Sequence, residues 1–197
     1  MSDLTSAAAT FACVALILAT THIPLGTYIA HVFTTEKHLG VERFCYRIVG
    51  VDPESQQRWT TYTTAVLSFS AVSILTLWGL ILAQDTLPFA DGRHQSIDGA
   101  LNTAISFVTN TNWQSYSGEN GATHLVQMLG LTVQNFLSAA VGLAVAIALI
   151  RGLARHDTDR IGNFWVDLTR SIFRILLPLT AIAALLLLAF FNDTATT

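Results

Sequence analysis

Hydrophobic positions fall into four long runs, at about residues 4–28, 62–83, 125–150 and 172–191. Each is near or above the roughly 20 apolar residues a helix needs to cross a bilayer. Between the second and third runs the pattern changes. Ile97, Ala100, Leu101, Ala104, Ile105 and Val108 recur at intervals of three and four, which predicts a short amphipathic helix over residues 97–108. Ser96 is placed to cap it and Asp98 to complement its first turn. Such a helix is about 18 Å long at 1.5 Å per residue, too short to span. It runs into Thr109, Asn110, Thr111, Asn112, Trp113 and Gln114, a polar stretch without charge. A half-helix followed by extended polar backbone, set between two spans, predicts a re-entrant pore loop over residues 97–119. Backbone of that kind is tolerated at membrane depth only where it is buried in protein or lines a watery path.

With 52% hydrophobic and 12% charged side chains, the chain has about half the charge of a soluble domain. It reads as an all-α integral membrane protein. No basic region precedes the first apolar run, which continues through Thr20, Thr21 and His22 to Tyr28, so it is expected to be a retained helix rather than a cleaved signal. Cys13 and Cys45 lie far apart and give no disulfide framework or zinc pattern. Charge distribution supplies orientation. Lys37, Arg43, Arg47 and Arg58 fall between the first two runs; Arg151, Arg155, Arg160, Arg170 and Arg174 fall between or beside the last two; Arg93 alone is elsewhere. The positive-inside rule makes those two loops cytoplasmic and places the N-terminus, residues 84–124 and the C-terminus outside.

Smaller features follow from the same pattern. A surface helix is expected over residues 41–49, ended by Gly50 as a C-cap, either tucked under the membrane or serving as a docking face for a partner. Trp59 and Trp165 read as interfacial anchors. Pro178 is expected to kink the fourth run. Gln127, Gln134 and Ser138 share one face of the third, where they would bind a neighbouring helix or support the pore loop, and Gly130, Ala139, Ala140 and Gly142 allow close packing. His22 and His124 read as helix-end residues, and His22, His31, His38, His94, His124 and His156 form no metal-ligand pattern.

Residues 109–114 offer backbone carbonyls and neutral side-chain oxygens but no carboxylate. That chemistry suits a dehydrated monovalent cation, because several carbonyl dipoles replace a hydration shell without trapping the ion. A divalent ion would ask for carboxylates. The half-helix would add the partial negative charge of its C-terminal carbonyls. Filter backbone often needs positive φ, and Asn110 and Asn112 are among the non-glycine residues that tolerate it best. A structured extracellular loop would explain the same residues without conduction. One such loop cannot surround an ion, so it would form about a quarter of a pore, with the rest from repeats or other subunits.

The run from Asn102 through Thr109, Asn110, Thr111, Asn112, Trp113 and Gln114 to Glu119 closely resembles the first pore loop of the potassium-binding subunit of the bacterial Kdp-type potassium-transporting ATPase. Residues 130–140, 148–151 and 162–168, and more weakly 40–43, resemble the same family. The resemblance covers nearly the whole chain but only about the first third of the family's protein. It implies a potassium-channel-like fold of the Trk and Ktr superfamily, built from helix, pore loop, helix repeats. Residues 1–29 would be an extra N-terminal transmembrane helix, 30–58 a cytoplasmic loop and 59–151 the first pore repeat. Residues 152–171 would be a second cytoplasmic loop and 172–197 the first helix of a truncated second repeat.

The same resemblance implies that Thr109, Asn110, Thr111, Asn112 and Gln114 belong to a selectivity filter. Asn110 and Thr111 would give backbone carbonyls to potassium, with Asn112 and Gln114 shaping the mouth. Potassium would be the transported ion, with no organic cofactor. Implied partners are a P-type ATPase catalytic subunit, small accessory membrane subunits and the lipid bilayer of a bacterial inner membrane, with no nucleic acid. No Walker lysine loop or Asp-Lys-Thr-Gly motif occurs, so ATP hydrolysis is assigned to another chain. Glu119 would concentrate cations at the mouth or simply be solvated. The competing readings are a passive Trk-like channel and, from a different class, a multi-span membrane enzyme or assembly factor.

Overall fold

The computed structural model describes residues 3–155 and 158–194, so His156 lies outside the described residues, as do the outermost ends of the first and last expected segments. The chain divides into two compact units, Met1–His38 and Leu39–Thr197.

The first unit is one helix, α1 (Asp3–Thr34), longer than the apolar run because it continues past Pro24. The hydroxyls of Thr10, Thr20, Thr21, Thr27 and Thr34 are satisfied within the helix. The hydroxyls of Thr20 and Thr21 donate to the carbonyls of Leu16 at 2.8 Å and Ile17 at 2.6 Å. His22 Nδ1 lies 2.9 Å from the carbonyl of Ala19. His22 is therefore a mid-helix residue turned back onto its own backbone, not a helix-end residue reaching water; local side-chain-to-carbonyl bonding lets such groups sit in an apolar segment.

The second unit begins with α2 (Gly40–Val49), which the Leu39 N–H and Glu42 carboxylate cap at 2.9 Å and which Gly50 ends at φ 72°. That left-handed conformation carries no Cβ penalty in glycine. A short strand, β1 (Gln57–Arg58), leads into α3 (Trp59–Leu82). Then come α4 (Ile97–Val108), the single turn α5 (Gly118–Gly121), a π-helical stretch Val126–Thr132 and, continuous with it, α6 (Val133–Ala154). Strand β2 (Arg160–Gly162) pairs antiparallel with β1, the one departure from an all-α chain among the described residues. The last helical rod is α7 (Phe164–Arg170), a π-helical stretch Ser171–Leu176 and α8 (Leu177–Thr194).

Four rods are long and apolar enough to cross a membrane: Leu4–Thr34, Trp59–Leu82, Val126–Ala154 and Phe164–Ala189. The chain is an integral membrane protein. The fourth rod starts inside the stretch 152–171 expected to be loop. Asn163 explains why: its side chain accepts from the Trp165 N–H at 3.1 Å, capping a helix eight residues before the apolar run becomes obvious. Pro178 sits just past the π-helical stretch, whose wider turn accommodates the missing N–H and the ring at that point.

Two buried clusters hold the unit together. One gathers Leu77, Ile81, Ala100, Ala104, Phe107, Ala122, Val126 and Leu131 around α4; the other gathers Tyr62, Ala140, Ala144, Ala148, Phe164 and Leu168. Gly130 allows close approach, since an added Cβ would lie 2.9 Å from side-chain carbons of Leu77 and Leu80, whereas Gly142 faces open space. Trp165 packs edge-on against Phe69 and Phe164, while Trp59 is 61% exposed. Many large apolar side chains of the rods are exposed, including Leu67, Val72 and Leu75 on α3. In a membrane that exposure carries no hydrophobic penalty, because acyl chains are as apolar as leucine.

Candidate ion-filter segment

The half-helix α4 starts where Ser96 Oγ accepts the Gly99 N–H at 3.1 Å. Its buried face overlaps only in part the one the apolar spacing picks out, sharing Ala100, Ala104 and Val108. Ala100, Thr103, Ala104, Ser106, Phe107 and Val108 are buried, while Ile97 is 64% and Ile105 43% exposed. Small residues face α3 and permit close contact, and a membrane removes the pressure to hide the isoleucines. Trp78 Nε1 donates to the carbonyl of Ile97 at 3.2 Å, fastening the start of α4 to α3.

The helix ends in a Schellman arrangement. Asn110 takes φ 59°; its N–H donates to the carbonyl of Phe107 at 3.3 Å and the Thr111 N–H to that of Ser106 at 3.0 Å. Asn112 is the second left-handed residue, at φ 54°. Its N–H also donates to the Ser106 carbonyl, at 3.1 Å, and the Trp113 N–H reaches Ser106 Oγ at 2.6 Å. Thr109 Oγ1 donates to the carbonyl of Ile105 at 2.9 Å and lies 3.0 Å from Thr111 Oγ1. The carbonyls of residues 109–114 accept no hydrogen bond from a described residue. Thr109, Asn110, Thr111, Asn112 and Gln114 are all exposed. The backbone N–H groups of residues 109–113 are thus taken up while the carbonyls stay open, an arrangement that can replace the water shell of a cation.

Its position along α6 follows from one contact. Ser138 Oγ donates to Asn110 Oδ1 at 3.3 Å, and Ser138 lies near the middle of the Val126–Ala154 rod. The return path is held by amide side chains. Gln84, 1% exposed, donates to the carbonyl of Gly121 at 3.3 Å and accepts from the Thr123 N–H at 3.0 Å. Gln95 Nε2 donates to the same Gly121 carbonyl at 2.8 Å, and Gln127 to those of Gly118 at 3.1 Å and Ala122 at 2.9 Å. Gln127 and Ser138 thus support the loop rather than a neighbouring helix; Gln134 is buried and borders a cavity that Phe69, Ser73 and Leu77 also line. Gly121 has no room for a side chain, because a Cβ there would meet the Tyr116 ring. The side chain of Glu119 lies outside the described residues.

Sequence reasoning located the exposed residues and missed the ones behind them. Ser106 reads as a polar interruption in an apolar helix, and Gln84 and Gln95 as loop residues; no local signal marks them as backbone clamps.

Residues 12–190 match the family described as potassium-transporting ATPase A subunit. Curated relatives bear the name potassium-transporting ATPase potassium-binding subunit. That of Mycobacterium sp. (strain KMS) is 57% identical over 178 residues, covering 89% of this chain and 32% of the relative. That of Mycolicibacterium smegmatis is 53% identical over 192 residues, covering 96% and 34%. That of Kineococcus radiotolerans is 56% identical over 174 residues, covering 88% and 31%. The chain spans about a third of the length of the curated relatives it matches.

Proposed function

The chain belongs to the potassium-transporting ATPase A subunit family, and from that premise we propose that residues 109–114 form one wall of a potassium-selective filter in the ion-binding subunit of an ATP-driven uptake pump. Potassium enters from the extracytoplasmic side past Gln114 and exchanges water for the backbone carbonyls of Asn110 and Thr111. Thr109 and Asn112 shape the wall on either side of them. The remaining walls come from the rest of a subunit of which this chain spans about a third. From the filter the ion passes toward a P-type ATPase partner, where ATP is hydrolysed, and small accessory membrane subunits complete the assembly in a bacterial plasma membrane. The clustering of arginine between the first two rods and around the last two supports an extracytoplasmic N-terminus.

The observation that carries this reading is the Asn110–Ser138 contact together with the unclaimed carbonyls around it. It supports a polar turn at mid-depth of a spanning helix, where irregular backbone persists only when buried in protein or beside a watery path, and this turn is exposed. Its chemistry, oxygen dipoles without a carboxylate, suits a monovalent cation.

The test is Gln114→Arg in the full-length subunit of the intact transporter. A guanidinium about 5 Å from a bound cation repels it by about 3 kcal/mol at an effective dielectric near 20, or about two orders of magnitude in affinity. Potassium-dependent uptake should need about a hundredfold more potassium for half-saturation. Unchanged half-saturation, with full expression, would overturn the filter reading.

A further inference from the structure

In a planar trans peptide, the N–H of one residue and the C=O of the residue before it point in opposite directions. Three successive N–H groups, those of Thr111, Asn112 and Trp113, turn onto Ser106: two onto its carbonyl at 3.0 and 3.1 Å, the third onto its Oγ at 2.6 Å. The carbonyls of Asn110, Thr111 and Asn112 are thereby aimed away from α4. Converging donors of this kind, made possible by left-handed residues such as Asn110 and Asn112, form a concave grip on an electronegative group. Here the gripped atoms belong to the protein itself. Ser106 is 6% exposed and held within the buried face of α4.

The geometry points to Ser106 as the positioning residue of the filter: its two oxygens lock three consecutive peptide planes, so that three carbonyls, that of Asn112 included, face the ion path. This rests on the filter reading above and extends it by a third carbonyl and by the residue that sets ion preference. The two backbone contacts are open to any residue at position 106. The third is not, because only a side-chain acceptor can take the Trp113 N–H. Without it the peptide between Asn112 and Trp113 is free to rotate, and its carbonyl leaves the ion path. Potassium affinity and discrimination against smaller cations then fall together, while ATP hydrolysis, performed in the partner, keeps its maximal rate.

The experiment is Ser106→Ala in the full-length subunit of the intact transporter, reading potassium- and sodium-dependence of transport-coupled ATP hydrolysis. Loss of one buried hydrogen bond corresponds to about a five- to tenfold rise in half-saturating potassium. The maximal rate should stay within about twofold and the preference for potassium over sodium should drop. Ser106→Thr, which retains an Oγ, should restore both. Ser106→Cys, with nearly the same volume and a weaker acceptor, covers the case in which the alanine chain does not assemble, and should give an intermediate rise. Wild-type half-saturation and ion preference in either the alanine or the cysteine variant overturns the role of Ser106. If Gln114→Arg still weakens potassium in that case, only this inference fails; if both variants are silent, the filter reading fails with it.

Discussion

Arg151 grips Asp167 with two parallel hydrogen bonds, Nη1 to Oδ2 at 2.6 Å and Nη2 to Oδ1 at 3.0 Å. Tyr62 donates to the same carboxylate at 3.1 Å and to the carbonyl of Ala144 at 2.8 Å. One carboxylate thus ties together α3, α6 and α7. The knot lies about 20 Å along α6 from Ser138, by the rise per residue of an α-helix. Asp167 is 1% and Arg151 16% exposed at the side chain. Gly162, at φ 111°, passes so close that a Cβ would collide with the Arg151 guanidinium.

Removing one partner of such a pair strands the other. Asp167→Ala should destabilise the protein by about 3–5 kcal/mol, the range for breaking a buried ion pair. Thermal unfolding of the detergent-solubilised full-length subunit measures it. A melting temperature equal to that of wild type would show that Arg151 finds another partner or water.

Glu42 on α2 and Arg174 beyond α7 form the second buried pair, at 2.5 Å, with the Glu42 side chain 0% exposed. Burial pushes the Glu42 carboxyl upward, but its hydrogen bonds to Arg174 and the Leu39 N–H outweigh that and hold it below its ordinary value of 4.5. A depressed carboxyl contributes stability above its ordinary value, and that contribution is lost as pH falls through the depressed one. The stability difference between wild type and Glu42→Gln should therefore stay constant from neutral pH down to about 4.5 and shrink only below it. Melting curves of both proteins across that range give the answer; a difference already shrinking near pH 6 would contradict the pairing.

Asn112 holds φ 54° without being glycine. A β-branched residue there would suffer the left-handed strain of about 1–2 kcal/mol, whereas glycine would not. In the intact transporter, Asn112→Val should raise half-saturating potassium by about tenfold and Asn112→Gly should stay near wild type. Equal effects of the two would assign the role to the side chain and not to the backbone angle.

Gln84 acts as a surrogate strand, accepting from Thr123 N–H and donating to the Gly121 carbonyl at 3.0 and 3.3 Å. Gln84→Leu keeps the volume but leaves both backbone groups without that partner, a loss of about 1–3 kcal/mol. Lower thermal stability with retained ion preference is the expected pair of readings. A shift in ion preference without loss of stability would instead place Gln84 in the ion path.

The polar and apolar alternation was enough to read four spans, the half-helix and the α2 cap, because each depends on contacts within a few residues. Ser96 capping α4, Gly50 ending α2 and the two left-handed asparagines are of this kind. The start of the fourth rod was not legible. Its first turns carry Asp167, Arg170 and Arg174, which look like loop charges until Arg151 and Glu42 meet two of them from elsewhere in the chain.

By itself, the order of residues determined that this protein has four helices able to cross a membrane and, between the second and third, a half-helix running into a polar turn, since helix periodicity, length and terminal chemistry are local. Only the tertiary structure decided which face of α4 is buried, that Asn110 meets Ser138 28 residues further along, and that Gln84 and Gln127 hold the returning backbone. Ser106 stands between the two cases: its donors are close in sequence, yet their convergence depends on the exact turn the chain makes. Hydrogen bonds between distant segments leave no periodic trace, and in lipid an apolar residue is equally at home on either side of a helix, so hydrophobicity could not choose the face.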